Sequence, residues 1–306
     1  MIHPLLQKLI ENQDPDRPSM ESFYRHTEVS RQAHSQWYFR YLKQSKMNTK
    51  LIDEVIQYRR TNDCRAGSRH LFYNLKIKER YDIGVTKFEQ LMSQQGLSLP
   101  VVRVKVVTTK SSRQSWNYKN LVSGLKVTDI NQVIVGDITY LHHNGLRYYF
   151  FGEKDVYSAR LVGWSLSMNM KAENAEDALN MVIACRGSDK ISGSIHHSDG
   201  GGQYFSTLFL TLAEANSIRM SRAKTCLENG YAEQFNAYLK HHMLPLIKSR
   251  SIAGMKQELS KLIHHYNHLR KQEELGWMSP VEFEKSLSIR KRKKILRMHD
   301  FDYKRF

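Results

Sequence analysis

The sequence predicts an α/β protein, with a mixed β-sheet core flanked by helices and a helical region in front of it. Three observations predict this. Apolar residues recur at helical spacing up to about residue 97. Runs rich in β-branched and aromatic residues begin near residue 132. From 172 onward, helical stripes alternate with short strand-like segments.

In the helical region, Leu51, Ile52, Val55, Ile56 and Tyr58 form one periodic stripe, and Leu71, Phe72 and Leu75 a second. A third runs through Val85, Phe88, Leu91 and Met92 and stops at Gly96, a reasonable helix C-cap. Asn62–Gly67, with basic residues on both sides, and Tyr81–Thr86 read as turns. Three short helices with tight turns fit a helix-turn-helix module or an ordinary helical bundle. Residues 98–131 read as a basic linker with one possible strand, in which Lys105, Lys110 and Arg113 are placed to track phosphates. Strands are expected over Gln132–Tyr140, Leu146–Val156 and Leu161–Met168, with a hairpin turn at Asn144-Gly145. A helix over 172–185 is expected next, then a strand over Gly193–His196 and a helix over Tyr204–Asn216. A strand over Ile218–Ser221 and a long helix over Gly230–Met243 complete the pattern. The expected domains are therefore 1–97, 98–131, a core over 132–285, and a basic tail over 286–306.

Composition narrows the function. The 306 residues carry 47 Lys+Arg against 30 Asp+Glu, a net charge of +17, which points to a polyanion and first to nucleic acid. No apolar run approaches the ~18 residues that span a bilayer, so no membrane partner is expected. Cys64, Cys185 and Cys226 lie far apart with no CxxC, which indicates neither a zinc ribbon nor a disulfide framework and suits a cytoplasmic protein.

Three acids stand out. Asp137 lies inside an apolar strand, where a carboxylate is costly unless paired or metal-bound. Asp199 precedes three glycines, Gly200 to Gly202, which permit a tight turn and close approach of a ligand but form no P-loop, since no GK[ST] follows. Glu233 lies early in the long helix, whose stripe Ala232, Phe235, Leu239 and Met243 should face the core while Glu233 and Lys240 share another face. Transfer of a phosphodiester needs an activated attacking oxygen and a stabilised leaving oxygen, and two Mg²⁺ ions roughly 3.5–4 Å apart serve both needs. Three gathered carboxylates repel one another and invite such ions. Lys240 would then lie beside a DNA phosphate. Read singly, a strand Asp is equally a paired structural acid and a helix Glu equally a solvated one.

Five blocks in order connect these residues. GDITYL (136–141), KDVYSARLVGWSLS (154–167), IHHSDGGGQY (195–204), ENGYAEQFNAYLK (228–240) and YNHLRKQEELGWMSPVEFE (266–284) resemble the core of the retroviral-integrase-like Asp-Asp-Glu transposases. The resemblance is greatest to second-frame proteins of the insertion sequence three family. It implies a ribonuclease-H-like core and a polynucleotidyl transferase acting at terminal inverted repeats and target DNA. Asp137, Asp199 and Glu233 carry over as catalytic metal ligands for Mg²⁺ or Mn²⁺, with two ions expected. Lys240 carries over more loosely, as a DNA contact. Upstream, VSRQAHSQW, CRAGSRHLFYNL and GVTKFEQLMSQQGL resemble the family's helical DNA-binding region, so that Arg65, Arg69 and Lys87 become expected DNA contacts.

The chain departs from the family in places. Only 33 residues lie between Asp199 and Glu233, Ile134 replaces an aromatic residue, and Gln272 replaces a His. Glu228 is a nearby rival for Glu233, although AEQF fits the catalytic block better. The His/Cys zinc domain of retroviral integrases is absent. Holding two DNA ends implies a homo-oligomer, and an upstream-frame partner protein is possible. His196 and His197 would touch DNA, orient Asp199 or pack locally. Arg290–Lys294 reads as a tail on the DNA backbone, and Trp164 and Trp277 as packing residues. Two rival functions stay open: a silent DNA-binding derivative and a simple metal-dependent nuclease.

Overall fold

The computed structural model of the chain describes residues 19–27, 29–100, 117–223, 230–288 and 295–298. Lys105, Lys110, Arg113, Cys226, Glu228 and the Arg290–Lys294 cluster lie outside the described residues. The chain divides into two compact units at Tyr58/Arg59. In the first, α1 (Met20–Thr27) precedes α2 (Arg31–Thr61), a long helix that runs on past the boundary. The Tyr24 hydroxyl and His34 Nδ1, 2.7 Å apart, tie the two helices together.

The second unit begins with α3 (Ser68–Asn74), α4 (Ile77–Tyr81) and α5 (Val85–Gln94). Their buried residues, including Leu71, Phe72, Ile77, Phe88 and Met92, are the apolar positions of the periodic stripes plus Ile77. Then come β1 (Lys126–Val127), β2 (Val133–His143), β3 (Leu146–Asp155), β4 (Leu161–Ser167), α6 (Ala172–Arg186) and α7 (Ser188–Ile191). They are followed by β5 (Ile195–Ser198), α8 (Thr207–Ala215), β6 (Arg219–Arg222) and α9 (Gly230–Tyr238), which continues as a π-helical turn over Leu239–Met243. The closing elements are α10 (Ile252–His268), α11 (Pro280–Ser286) and β7 (Leu296–Arg297).

The five-stranded sheet has the order β4-β3-β2-β5-β6. β2, β3 and β4 form an antiparallel meander, while β5 and β6 add in parallel through helical crossovers. This is the mixed, ribonuclease-H-like sheet expected above. Side chains alternate across it. Leu141, Tyr148 and Phe150 pack with Phe235, Leu239, Met243, Leu259 and Leu262 on the α9/α10 face. Ile134, Phe151 and Val162 pack with Ala175, Ala178, Val182 and Phe209 on the α6/α8 face. The hairpin turns at Asn144 and Gly145, both at positive φ, as an Asn-Gly pair favours.

On the α6 side the backbone approaches β4 very closely. A Cβ on Gly163 would lie 2.2 Å from the Ala178 carbonyl oxygen and 2.7 Å from a Val182 methyl. Backbone cannot give way as a flexible side chain can, so Gly163→Ala should destabilise the core by about 1–3 kcal/mol. A denaturant midpoint unchanged from wild type would refute this packing.

The one strand allowed for in the 98–131 segment is β1, which pairs with β7, and Val122 and Val127 beside it are buried. The tail likewise returns to the core at Leu296–Met298, where Met298 joins the same apolar cluster as Val127 and Phe283. α10 was missed, although Met255, Leu259, Leu262, Ile263 and Tyr266 lie on one buried stripe.

Candidate active site

The sheet register brings the two aspartates together. Val133, Ile134 and Val135 on β2 pair in parallel with Ile195, His196 and His197 on β5. Carried two residues further, the same register sets Asp137 level with Asp199, which stands just beyond the end of β5. The chain turns there through Gly200 at φ +82°, and the Asp199 Oδ1 accepts the Gly201 N–H at 3.0 Å. This short turn fixes the carboxylate at the strand end.

Glu233 approaches from the first turn of α9, half-buried. The stripe Ala232, Phe235, Leu239 and Met243 is buried as expected, which turns Glu233 toward the strand ends. One turn on, the Asn236 Nδ2 donates to the Asp137 Oδ2 at 2.6 Å and ties α9 to β2. Among the described residues, no three His, Cys, Asp or Glu side chains close around a common point tightly enough to hold an ion. The three carboxylates are nevertheless within electrostatic reach of one another. Burial, and next the charge of Asp199, push the Asp137 carboxyl up to about 8; Glu233 adds to the rise, while Asn236 opposes it. Burial and Asp199 also raise Glu233. This donor set of hard oxygens, short of positive charge, suits a hard divalent cation, which would supply the missing charge.

Lys240 sits, exposed, in the π-helical turn. Partial burial lowers its ammonium, while the charge of Asp137 acts in the opposite direction. π-turns within helices often occur at functional sites.

Behind the carboxylates lies a buried polar layer. Glu153 on β3 and His196 on β5, the two strands that flank β2, are fully buried, with Glu153 Oε2 and His196 Nε2 at 2.8 Å. The Tyr204 ring packs 5.3 Å from His196, and burial and then Glu153, Asp137 and Asp199 hold its hydroxyl well above 10. Gly136 makes room for this layer, since a Cβ there would lie 2.7 Å from His196 Nε2. His197 is also buried, with its Nδ1 2.9 Å from the Ser221 Oγ. Both histidines are buried, with side-chain partners inside the fold.

The remaining residues named from sequence lie apart. Arg65 is half-buried in the 62–67 turn. Arg69 is exposed on α3 and pairs with Glu89 on α5 at 3.3 Å. Lys87 is exposed on α5. The turn itself is anchored to α9 and its π-helical extension: Asp63 is buried, and its carboxylate accepts the Tyr238 hydroxyl at 3.1 Å and meets His242 Nδ1 at 2.5 Å. Trp277 stacks on Tyr73 at 4.0 Å and Trp164 on Phe150 at 6.0 Å, both as packing residues.

Residues 128–226 match the integrase core domain family, and residues 215–280 match a second integrase core domain profile. The transposase for insertion sequence element IS904 of Lactococcus lactis is 31% identical over 200 residues, 64% of this chain and 78% of that one. Transposase InsF for insertion sequence IS3A of Escherichia coli is 32% identical over 157 residues, 50% of this chain and 54% of that one. Among solved structures, the HTLV-2 integrase catalytic core domain in complex with magnesium covers 54% of this chain and 99% of its own, at 15% identity and a TM-score of 0.42.

Proposed function

Because the chain belongs to the insertion sequence three family of transposases in the integrase superfamily, we propose that Asp137, Asp199 and Glu233 are the carboxylates that carry its strand cleavage and strand transfer. The protein is a DNA transposase and a polynucleotidyl transferase. The observation that carries the site assignment is the register that sets Asp137 level with Asp199, where burial, then the charge of Asp199 and in smaller part that of Glu233 push the Asp137 carboxyl up to about 8.

These three side chains would hold Mg²⁺ or Mn²⁺, two ions in the working complex. The ions would supply charge stabilisation for the attacking and leaving oxygens. The chain's own contribution is position. The Gly200 turn fixes Asp199, the Asn236 amide holds Asp137, and the apolar stripe of α9 aims Glu233. Lys240 stands where a DNA phosphate would approach. α3 to α5, with Arg65, Arg69 and Lys87, are the proposed DNA-end reader, and the net charge of +17 serves the rest of the backbone. Terminal inverted repeats and target DNA are the proposed substrates, and an oligomer in the cytoplasm the proposed working form.

The test is joining of labelled element ends to target DNA by purified protein with Mg²⁺. Joined products that vanish with chelator support the proposal, whereas nicks without joining favour a nuclease. Lys240→Ala should bind all DNA sequences more weakly by a similar factor and lower the salt dependence of binding by about one phosphate contact. An unchanged salt slope would remove Lys240 from the interface.

A further inference from the structure

Lys154 is a buried cation that apolar packing of the core does not require. It is 2% exposed near the end of β3. Its described partners are two neutral oxygens: Nζ donates to the Tyr231 carbonyl and to the Gln234 Oε1, each at 3.1 Å. Burial depresses the ammonium to about 8, and Glu274 offsets part of the depression. A methionine of similar length would fill this space at lower desolvation cost, so stability alone does not account for the charge.

Its location suggests another role. The β3–β4 register shifts between Glu153 and Lys154, an irregularity of the kind that re-aims side chains beside active sites. Here Glu153 points to His196, while Lys154 reaches the first turn of α9. Its two acceptors flank Glu233 in the sequence, two residues before it and one after. An ammonium that grips the backbone at Tyr231 and the side chain at Gln234 resists rotation of that turn about the helix axis. The Asn236–Asp137 bond fixes the same helix one turn later. Glu233 lies between the two tethers.

We propose that Lys154 is a positioning residue that locks the first turn of α9, so that Glu233 faces Asp137 and Asp199 and can share a divalent cation with them. The proposal rests on the reading of Glu233 as a ligand. Metal sites commonly depend on such outer supports, whose loss costs about 10–100-fold in metal affinity or activity.

The experiment compares full-length wild type, Lys154→Met and Gln234→Ala by amide hydrogen exchange and by the Mg²⁺ dependence of strand joining. In Lys154→Met, exchange over 231–236 should speed up by about tenfold or more while α10, over 252–268, stays as in wild type. The Mg²⁺ needed for half-maximal joining should rise about 10–100-fold, with activity recovered at high Mg²⁺. Gln234→Ala should shift both readouts in the same direction by less. Unchanged exchange at 231–236 in both variants would overturn the tether. Faster exchange across the whole core would overturn it too, since it would mark Lys154 as merely structural. Faster local exchange with an unchanged Mg²⁺ requirement, in a protein whose Glu233→Gln form still joins DNA, would overturn the link to metal and the ligand reading beneath it.

Discussion

Asp137→Asn, Asp199→Asn and Glu233→Gln should each cut cleavage and joining by about 100–1,000-fold or more, while DNA ends are bound at least as tightly as by wild type. Each amide keeps the size of its carboxylate but cannot ionise to share a cation. The loss should therefore fall on the chemistry. Binding should hold, because no contact to phosphate is removed. Gel-shift and joining assays on the same DNA separate the two effects. A variant that joins at near the wild-type rate would remove its residue from the site. One that loses binding and joining together would show damage to the fold instead. The intact acid set argues against a silent DNA-binding derivative, and the same assays decide that question.

Asp137→Asn should also make the metal-free protein more stable at alkaline pH. The Asp137 carboxyl sits near 8 in the folded protein, against about 3.9 in an unfolded chain. Between those values the folded state holds a proton that the unfolded state has lost. Stability from this group is thus full below about pH 4 and declines as pH rises through 8. At pH 8.5 without metal the asparagine variant avoids that decline and should melt higher by roughly 5 °C or more. Mg²⁺ should raise the melting temperature of wild type and leave the variant nearly unmoved. Melting curves at pH 5 and 8.5, with and without Mg²⁺, check both signs. A variant that melts below wild type at pH 8.5 would mean that the carboxylates do not strain the metal-free fold.

Much of this arrangement was legible in the sequence, because the relevant signals are local. The hairpin at Asn144-Gly145, the apolar strand around Asp137 and the stripe Ala232, Phe235, Leu239 and Met243 follow from neighbours a few residues apart. The strand expected over Gly193–His196 lies two residues later, at Ile195–Ser198, and carries Asp199 directly to the sheet end. What stayed hidden depends on distant partners. The two-residue strands β1 and β7 exist only through each other. Glu153, Lys154 and Asp155 lie in the strand expected over Leu146–Val156, but their complete burial is not a local signal. Their partners His196, Tyr231, Gln234 and Arg186 come from other elements. Asn236 carried a faint local signal, one helical turn after Glu233, but its bond to Asp137 requires the fold.

The most direct measurement of the central claim is metal-ion rescue of Asp137→Cys in the joining assay. A thiolate is a poor ligand for hard Mg²⁺ and accepts softer Mn²⁺ more readily. If Asp137 holds the catalytic cation, the cysteine variant should be inactive in Mg²⁺ and regain a measurable part of its activity in Mn²⁺, with wild type active in both. Equal activity of the variant in the two metals, at or near the wild-type rate, would contradict a metal site built on Asp137.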